Sequence, residues 1–245
     1  MKLEGKAALI TGSARRLGAK TAETLHQNGA DIIIHYRGSR AAAEALVARF
    51  NAERSGSAVA LQADLLRLDE IERLAQEATA AFGRLDILVN NASTFYPTPV
   101  GQIAETHWDD LMGSNLKAPL FLSQACHPAL KASRGCIVNM VDIHARSPLK
   151  RYPLYSMAKA GKAMMTRALA QEMAPEVRVN GLAPGAILWP EDDSQSEEER
   201  QKILQRIPLG RTGMPQDIAD AILFLATSPY VNGQILAVDG GRQLF

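Results

Sequence analysis

The sequence predicts an α/β fold: a doubly wound, mostly parallel seven-stranded sheet with helices on both faces. Two observations predict it. Short β-type runs alternate with longer amphipathic segments, the signature of βαβ units. Several of the short runs (ALI, IIIH, ILV, CIVNMV) are almost continuously apolar, as strands covered on both faces must be. No Pro/Gly/Ser-rich linker, internal repeat or low-complexity tract divides the 245 residues, so one domain over 1–245 is expected.

In chain order, strands are expected at Ala7–Thr11, Asp31–His35, Ala58–Gln62, Ile87–Asn90, Cys136–Met140, Arg178–Gly181 and Ile235–Val238. Helical patterns lie between them at Gly18–Asn28, Arg40–Glu53, Asp69–Phe82, Thr106–Lys131, Tyr155–Met173 and Pro215–Thr227. Right-handed crossovers make such a sheet doubly wound. Ligands then bind beyond the carboxyl ends of the strands, where strand order reverses. One stretch breaks the alternation. Gly185–Glu199 is long and acidic, followed by a short helical pattern at Arg200–Arg206. A loop of this kind beside a binding edge is read as a substrate loop over about 185–206.

Composition narrows the class. With 27 Lys+Arg against 26 Asp+Glu the net charge is +1, which supplies no footprint for nucleic acid or an anionic membrane. The N-terminus lacks the pattern of a signal peptide, and no apolar run approaches the ~20 residues that span a bilayer. Cys126 and Cys136 are too few for a disulfide framework or a metal site. A cytoplasmic protein without a metal is expected.

The first strand runs into Thr11-Gly12-Ser13-Ala14-Arg15-Arg16-Leu17-Gly18, where a helix begins. Glycines allow a tight turn and close approach to a pyrophosphate, and the helix N-terminus offers free N–H groups. Arg16 stands in this turn, where it contacts phosphates or reaches past them to a substrate oxygen. The second strand ends His35-Tyr36-Arg37-Gly38-Ser39-Arg40, with no carboxylate between Ile32 and Ala43. An acidic residue there favours a ribose 2′-hydroxyl, whereas arginine favours a 2′-phosphate. Arg37, Ser39 and Arg40 therefore point to NADP(H).

Tyr155-Ser156-Met157-Ala158-Lys159 places a phenol and an amine on one helix face. A tyrosine acts as an acid–base group near neutral pH if a neighbour lowers its pKa from ~10, and an adjacent ammonium is expected to do so. Upstream stand the TGxxxRxG turn, Asn90-Asn91-Ala92-Ser93 after the fourth strand, and Asn115. Pro184-Gly185 and Asp239-Gly240-Gly241 follow downstream. Over essentially its whole length the chain resembles short-chain dehydrogenase/reductases, which have a Rossmann-type fold. The resemblance implies an Asn115–Tyr155–Lys159 proton relay, with Lys159 also on the nicotinamide ribose. It further implies cofactor contacts from Gly12, Arg16, Leu17, Gly18, His35, Tyr36, Asp64, Leu65, Asn91, Ala92, Ser93, Pro184 and Gly185, with Asp64 at the adenine.

Most members of that family carry serine thirteen residues before the tyrosine. Here Asp142 stands there, in Asn139-Met140-Val141-Asp142, and Ser147 has the wrong spacing to replace it. A hydroxyl suits a ketone oxygen, whereas a carboxyl beside a tyrosine suits a ring nitrogen. Arg16, the NNAS turn, Phe95-Tyr96-Pro97, NMVD and Tyr152-x-x-Tyr155 together are similar to pteridine reductases. That resemblance implies a flat pterin or folate stacked between nicotinamide and Phe95. Arg16, Ser93, Asp142, Tyr152 and Tyr155 would line the substrate site, and Asp142 and Tyr155 would form the acid pair. The implied reaction is hydride transfer from NADPH to a ring carbon of a dihydropterin, giving the tetrahydropterin, with an oxidised pterin or dihydrofolate as further candidate substrates. Rival readings are an NADPH-linked reductase of a 3-oxoacyl thioester or sugar ketone, and a nonenzymatic NADPH-binding regulator. The family also implies a homotetramer.

Overall fold

The computed structural model describes residues 2–189 and 196–244. Seven strands form one sheet: β1 (Ala7–Ile10), β2 (Asp31–Tyr36), β3 (Ala58–Gln62), β4 (Ile87–Asn90), β5 (Cys136–Met140), β6 (Arg178–Pro184) and β7 (Ile235–Val238). Their order is β3-β2-β1-β4-β5-β6-β7, and every neighbouring pair is parallel. The order reverses between β1 and β4, which opens a crevice at their carboxyl ends.

Eight α-helices are present among the described residues, most of them packed on the sheet: α1 (Arg16–Gln27), α2 (Arg40–Glu53), α3 (Leu68–Phe82), α4 (Glu105–Met112), α5 (Ala118–Ser133), α6 (Pro153–Glu172), α7 (Glu197–Leu204) and α8 (Pro215–Thr227). Because strand side chains alternate in direction, each central strand feeds two cores. Ile32 and Ile34 meet Leu25, Phe50 and Ile222 of α1, α2 and α8 on one face. Ile33, Leu9 and Leu88 meet Leu74 of α3 and Leu122 and Cys126 of α5 on the other. Both cysteines are buried and free. Among the described residues, no helix is long and apolar enough to cross a membrane.

Three expectations need correction. The pattern at Thr106–Lys131 is not one α-helix. A π-helical turn at Gly113–Lys117 separates α4 from α5. Such turns interrupt the regular ladder and recur at functional sites, and this one contains Asn115. Strand β6 runs on past Gly181 to Pro184, paired throughout with β7. The short helix starts at Glu197 rather than Arg200, because Ser196 and Glu199 form a capping box that fixes its first turn.

Leu88 lies in the middle of β4 and is fully buried. Leu88→Ala is expected to destabilise the fold by ~2–5 kcal/mol, measured as a lower urea midpoint with an unchanged slope.

Candidate functional site: a dinucleotide cleft beside a Tyr–Asp pair

The cleft is built where β1 and β4 end. Gly12 has φ +62, and its N–H donates to His35 Nδ1 at 3.0 Å. His35 is buried at the end of β2, and burial lowers its pKa to about 4. It is therefore neutral, and since Nδ1 accepts, Nε2 carries the proton and donates to the Ala63 carbonyl at 3.1 Å. One imidazole thus ties the β1 turn to the end of β3. Asn91 does the same from β4, its Nδ2 donating to the Thr11 carbonyl at 2.7 Å and the Gly12 carbonyl at 3.1 Å. A Cβ on Gly18 would meet the Gly12 carbonyl oxygen at 2.5 Å, so the turn packs onto α1 only because Gly18 has none. Arg16, at the middle-glycine position of the motif, keeps the left-handed φ of +53 that a glycine would adopt freely.

The resulting cleft has a volume of about 400 Å³. Gly12, Arg16, Leu17, Gly18, His35, Arg37, Asp64, Leu65, Asn91, Ala92 and Ser93 all line it. Arg15, Ala63, Leu66, Thr94 and Ser114 line it as well, without having been anticipated. The absence of a Cβ at Gly18, the start of α1 and the two arginines of the turn fit a pyrophosphate. The β2 end is divided. Arg37 lines the cleft, but Tyr36 and Arg40 face a neighbouring groove where Arg40 pairs with Glu44 at 3.6 Å. Ser39 is the N-cap residue of α2. Gly185 follows β6 and packs against Asp239, where a Cβ would meet backbone at 2.7 Å. Pro184 precedes it as the last residue of β6.

The reacting groups gather at the ends of β5 and α6. Tyr155 Oη donates to Asp142 Oδ2 at 2.6 Å. Asp142 Oδ1 accepts the His144 N–H at 2.8 Å, which fixes the carboxyl plane. Lys159 Nζ donates to the Met140 carbonyl at 3.0 Å and stands 5.3 Å from the centre of the Tyr155 ring. Asn115 is fully buried. Its Oδ1 accepts from Ser93 Oγ at 2.6 Å, and its Nδ2 donates to the Thr94 and Leu111 carbonyls. The π turn therefore anchors the loop after β4.

The charge states differ from the expectation at Tyr155. Burial raises its pKa well above the usual value, and the charge and hydrogen bond of Asp142 add to this. Lys159 is itself pulled down to about 8 by burial, with Asp142 opposing. Desolvation and the adjacent Asp142 both raise the Tyr155 pKa, so the phenol keeps its proton.

An aromatic slot adjoins this pair. The Phe95 and Tyr152 rings stack at 4.6 Å and 12°, while Phe95 meets Tyr155 edge-on at 4.8 Å. Phe95 is 53% exposed, so one face of the slot is open to solvent. After β6, the Trp189 carbonyl accepts from Arg16 Nη2 at 3.3 Å, and the Arg200 guanidinium lies 5.5 Å from the Trp189 ring. The rest of the expected loop, residues 190–195, lies outside the described residues. His144, Thr94 and Ser114 carried no motif that sequence reasoning could find, because they act through main chain or through the π turn.

Gly18→Ala is expected to force the turn apart, an overpacking of ~1–3 kcal/mol that lowers dinucleotide affinity ~10–100-fold in a fluorescence titration.

Comparison with known proteins places this geometry in a family. The family model described as enoyl-(acyl carrier protein) reductase matches residues 12–243. Pteridine reductase 1 from Leishmania tarentolae is 35% identical over 279 residues, covering 97% of this chain and 96% of that protein. A 3-oxoacyl-(acyl-carrier-protein) reductase from Staphylococcus aureus is 34% identical, covering 98% of each chain. The 2-dehydro-3-deoxy-D-gluconate 5-dehydrogenase of Escherichia coli is 38% identical, covering 98% of this chain and 96% of that protein. With its parallel seven-stranded sheet, its glycine turn and its Tyr155–Lys159 pair, the chain is an oxidoreductase that belongs to the short-chain dehydrogenase/reductase family.

Proposed function

We propose that the protein is an NADPH-dependent pteridine reductase that converts a dihydropterin to the tetrahydropterin. The observation that carries this reading is the 2.6 Å hydrogen bond from Tyr155 to Asp142, at the position where a ketone reductase presents a hydroxyl. Two oxygens, one on a phenol and one on a carboxyl, suit the edge of a nitrogen heterocycle, which offers both donors and acceptors. The Phe95–Tyr152 slot supports the same reading, since a flat π ring can exchange one stacking partner for another. Overall identity does not separate the candidates, because the pterin, oxoacyl and sugar enzymes are about equally similar.

NADPH is favoured over NADH by Arg37, which lines the cleft after β2, in a stretch from Ile32 to Ala43 that carries no carboxylate. When bound, the cofactor supplies a hydride to a ring carbon. The chain's own residues manage the proton. Tyr155 delivers its phenolic proton to the adjacent ring nitrogen, and Asp142 orients the phenol and holds the neighbouring edge of the ring. Once the proton has gone, the Lys159 ammonium offsets the phenolate. Arg16 and Ser93 line the cleft, and Arg16 reaches the Trp189 carbonyl, which supports a role for both beside the substrate.

In an NADPH-oxidation assay, 7,8-dihydrobiopterin should be reduced and a β-ketoacyl thioester should not. Tyr155→Phe removes the proton donor and should lower kcat by ~10²–10⁴. Asp142→Ser should lower pterin turnover as well. Thioester reduction with inert pterins would transfer the protein to the ketone reductases. The rate should fall as pH rises through about 8, where Lys159 loses the charge that offsets the phenolate. A pH profile of kcat that stays flat to pH 10 would remove Lys159 from that role.

A further inference from the structure

Helix α6 carries a second buried lysine behind the reacting groups. Lys162 follows Lys159 at i+3, so both lie on one helix face. Lys162 is 0% exposed. Its Nζ donates to the Asn90 carbonyl at 3.1 Å, as Lys159 donates to that of Met140. Asn90 and Met140 close the adjacent strands β4 and β5. The hydrogen-bonded side chains beside Lys162 are neutral amides and hydroxyls. Asn90 Nδ2 donates to Ser123 Oγ at 3.1 Å and to Asn139 Oδ1 at 2.8 Å. Asn139 Nδ2 donates to Thr166 Oγ1 at 3.0 Å, and Thr166 Oγ1 donates to the Lys162 carbonyl at 2.8 Å. Among the described residues, the charge that reaches Lys162 is that of Lys159, which has the same sign.

Burial, reinforced by Lys159, holds the Lys162 amine well below the ordinary lysine range. An ammonium here would have no counter-charge. The unfolded chain binds a proton at this residue up to ~10.4, whereas the folded chain releases it far lower. The residue therefore weakens the fold at neutral pH, and the penalty grows as pH falls from about 10 towards the folded value. Methionine would fill the same space without that penalty. The lysine's donor meets the chain where β4 leaves the sheet. There the Asn91 N–H turns back onto the Val89 carbonyl at 3.0 Å, and Asn91, Ala92 and Ser93 then line the cleft.

We propose that Lys162 is a positioning residue for the cofactor edge of the cleft, its amine pinning the carboxyl end of β4 from which Asn91, Ala92 and Ser93 reach the dinucleotide. This rests on the dinucleotide reading of the cleft, and not on the identity of the substrate.

The test titrates NADPH into wild type, Lys162→Met and Lys162→Gln, and melts each protein between pH 6 and pH 10. Lys162→Met should melt above wild type at pH 7, by a margin that narrows towards pH 10. It should bind NADPH ~10-fold more weakly. Lys162→Gln keeps a neutral donor and should recover part of that affinity. A Lys162→Met protein that melts below wild type, or affinities within about twofold of wild type in both variants, would overturn the inference. If Lys162→Met does not fold, unaltered affinity in Lys162→Gln overturns it alone. Wild type that binds no dinucleotide would instead overturn the reading of the cleft.

Discussion

The contact between Tyr155 and Asp142 constrains the rest of the site. These residues are thirteen apart, and the intervening chain must leave β5, turn and enter α6 so that a phenol meets a carboxyl at 2.6 Å. Asp142 is held by the His144 N–H, and Tyr155 is packed with Leu111 and Leu154. Burial then does the chemical work: it keeps the phenol protonated and pulls Lys159 down to about 8. A solvent-exposed pair of the same residues would screen both effects.

The sheet supplies the other half of the arrangement. Reversal of strand order between β1 and β4 separates two turns that would otherwise collide. His35, Thr11 and Asn91 fasten those turns across the gap through partly buried hydrogen bonds. The π turn at Asn115 fastens the loop after β4 from the opposite side. The cleft is thus held open by polar contacts that are satisfied within the protein, which is what lets it keep one shape at the edge of an apolar core.

Much of this was legible in the residues. The βαβ alternation and the apolar runs placed every strand, because a parallel sheet buries both faces and leaves a plain hydropathy signal. Glycine spacing located the phosphate turn, since Gly18 is required by close packing. Other features depend on geometry that a sequence does not print. Gly113–Lys117 reads as ordinary helix because a π turn changes one hydrogen-bond register and no hydropathy. Arg40 reads as a phosphate ligand, yet its side chain turns to Glu44 outside the cleft. The expected lowering of the Tyr155 pKa considered the nearby amine and omitted desolvation, the larger effect. Lys162 carries no motif in the sequence, and its burial is visible only in the fold.

The family's substrates span thioesters, sugars and pterins on one fold, so specificity must reside in a few side chains. The proposed function rests on two of them, Asp142 and Phe95. The most direct measurement is a crystal structure with NADPH and 7,8-dihydrobiopterin bound. The account predicts the pterin flat against Phe95, with its ring-nitrogen edge on Tyr155 Oη and the Asp142 carboxyl. A pterin seated elsewhere, or an Asp142 carboxyl turned away from the ring, would contradict it.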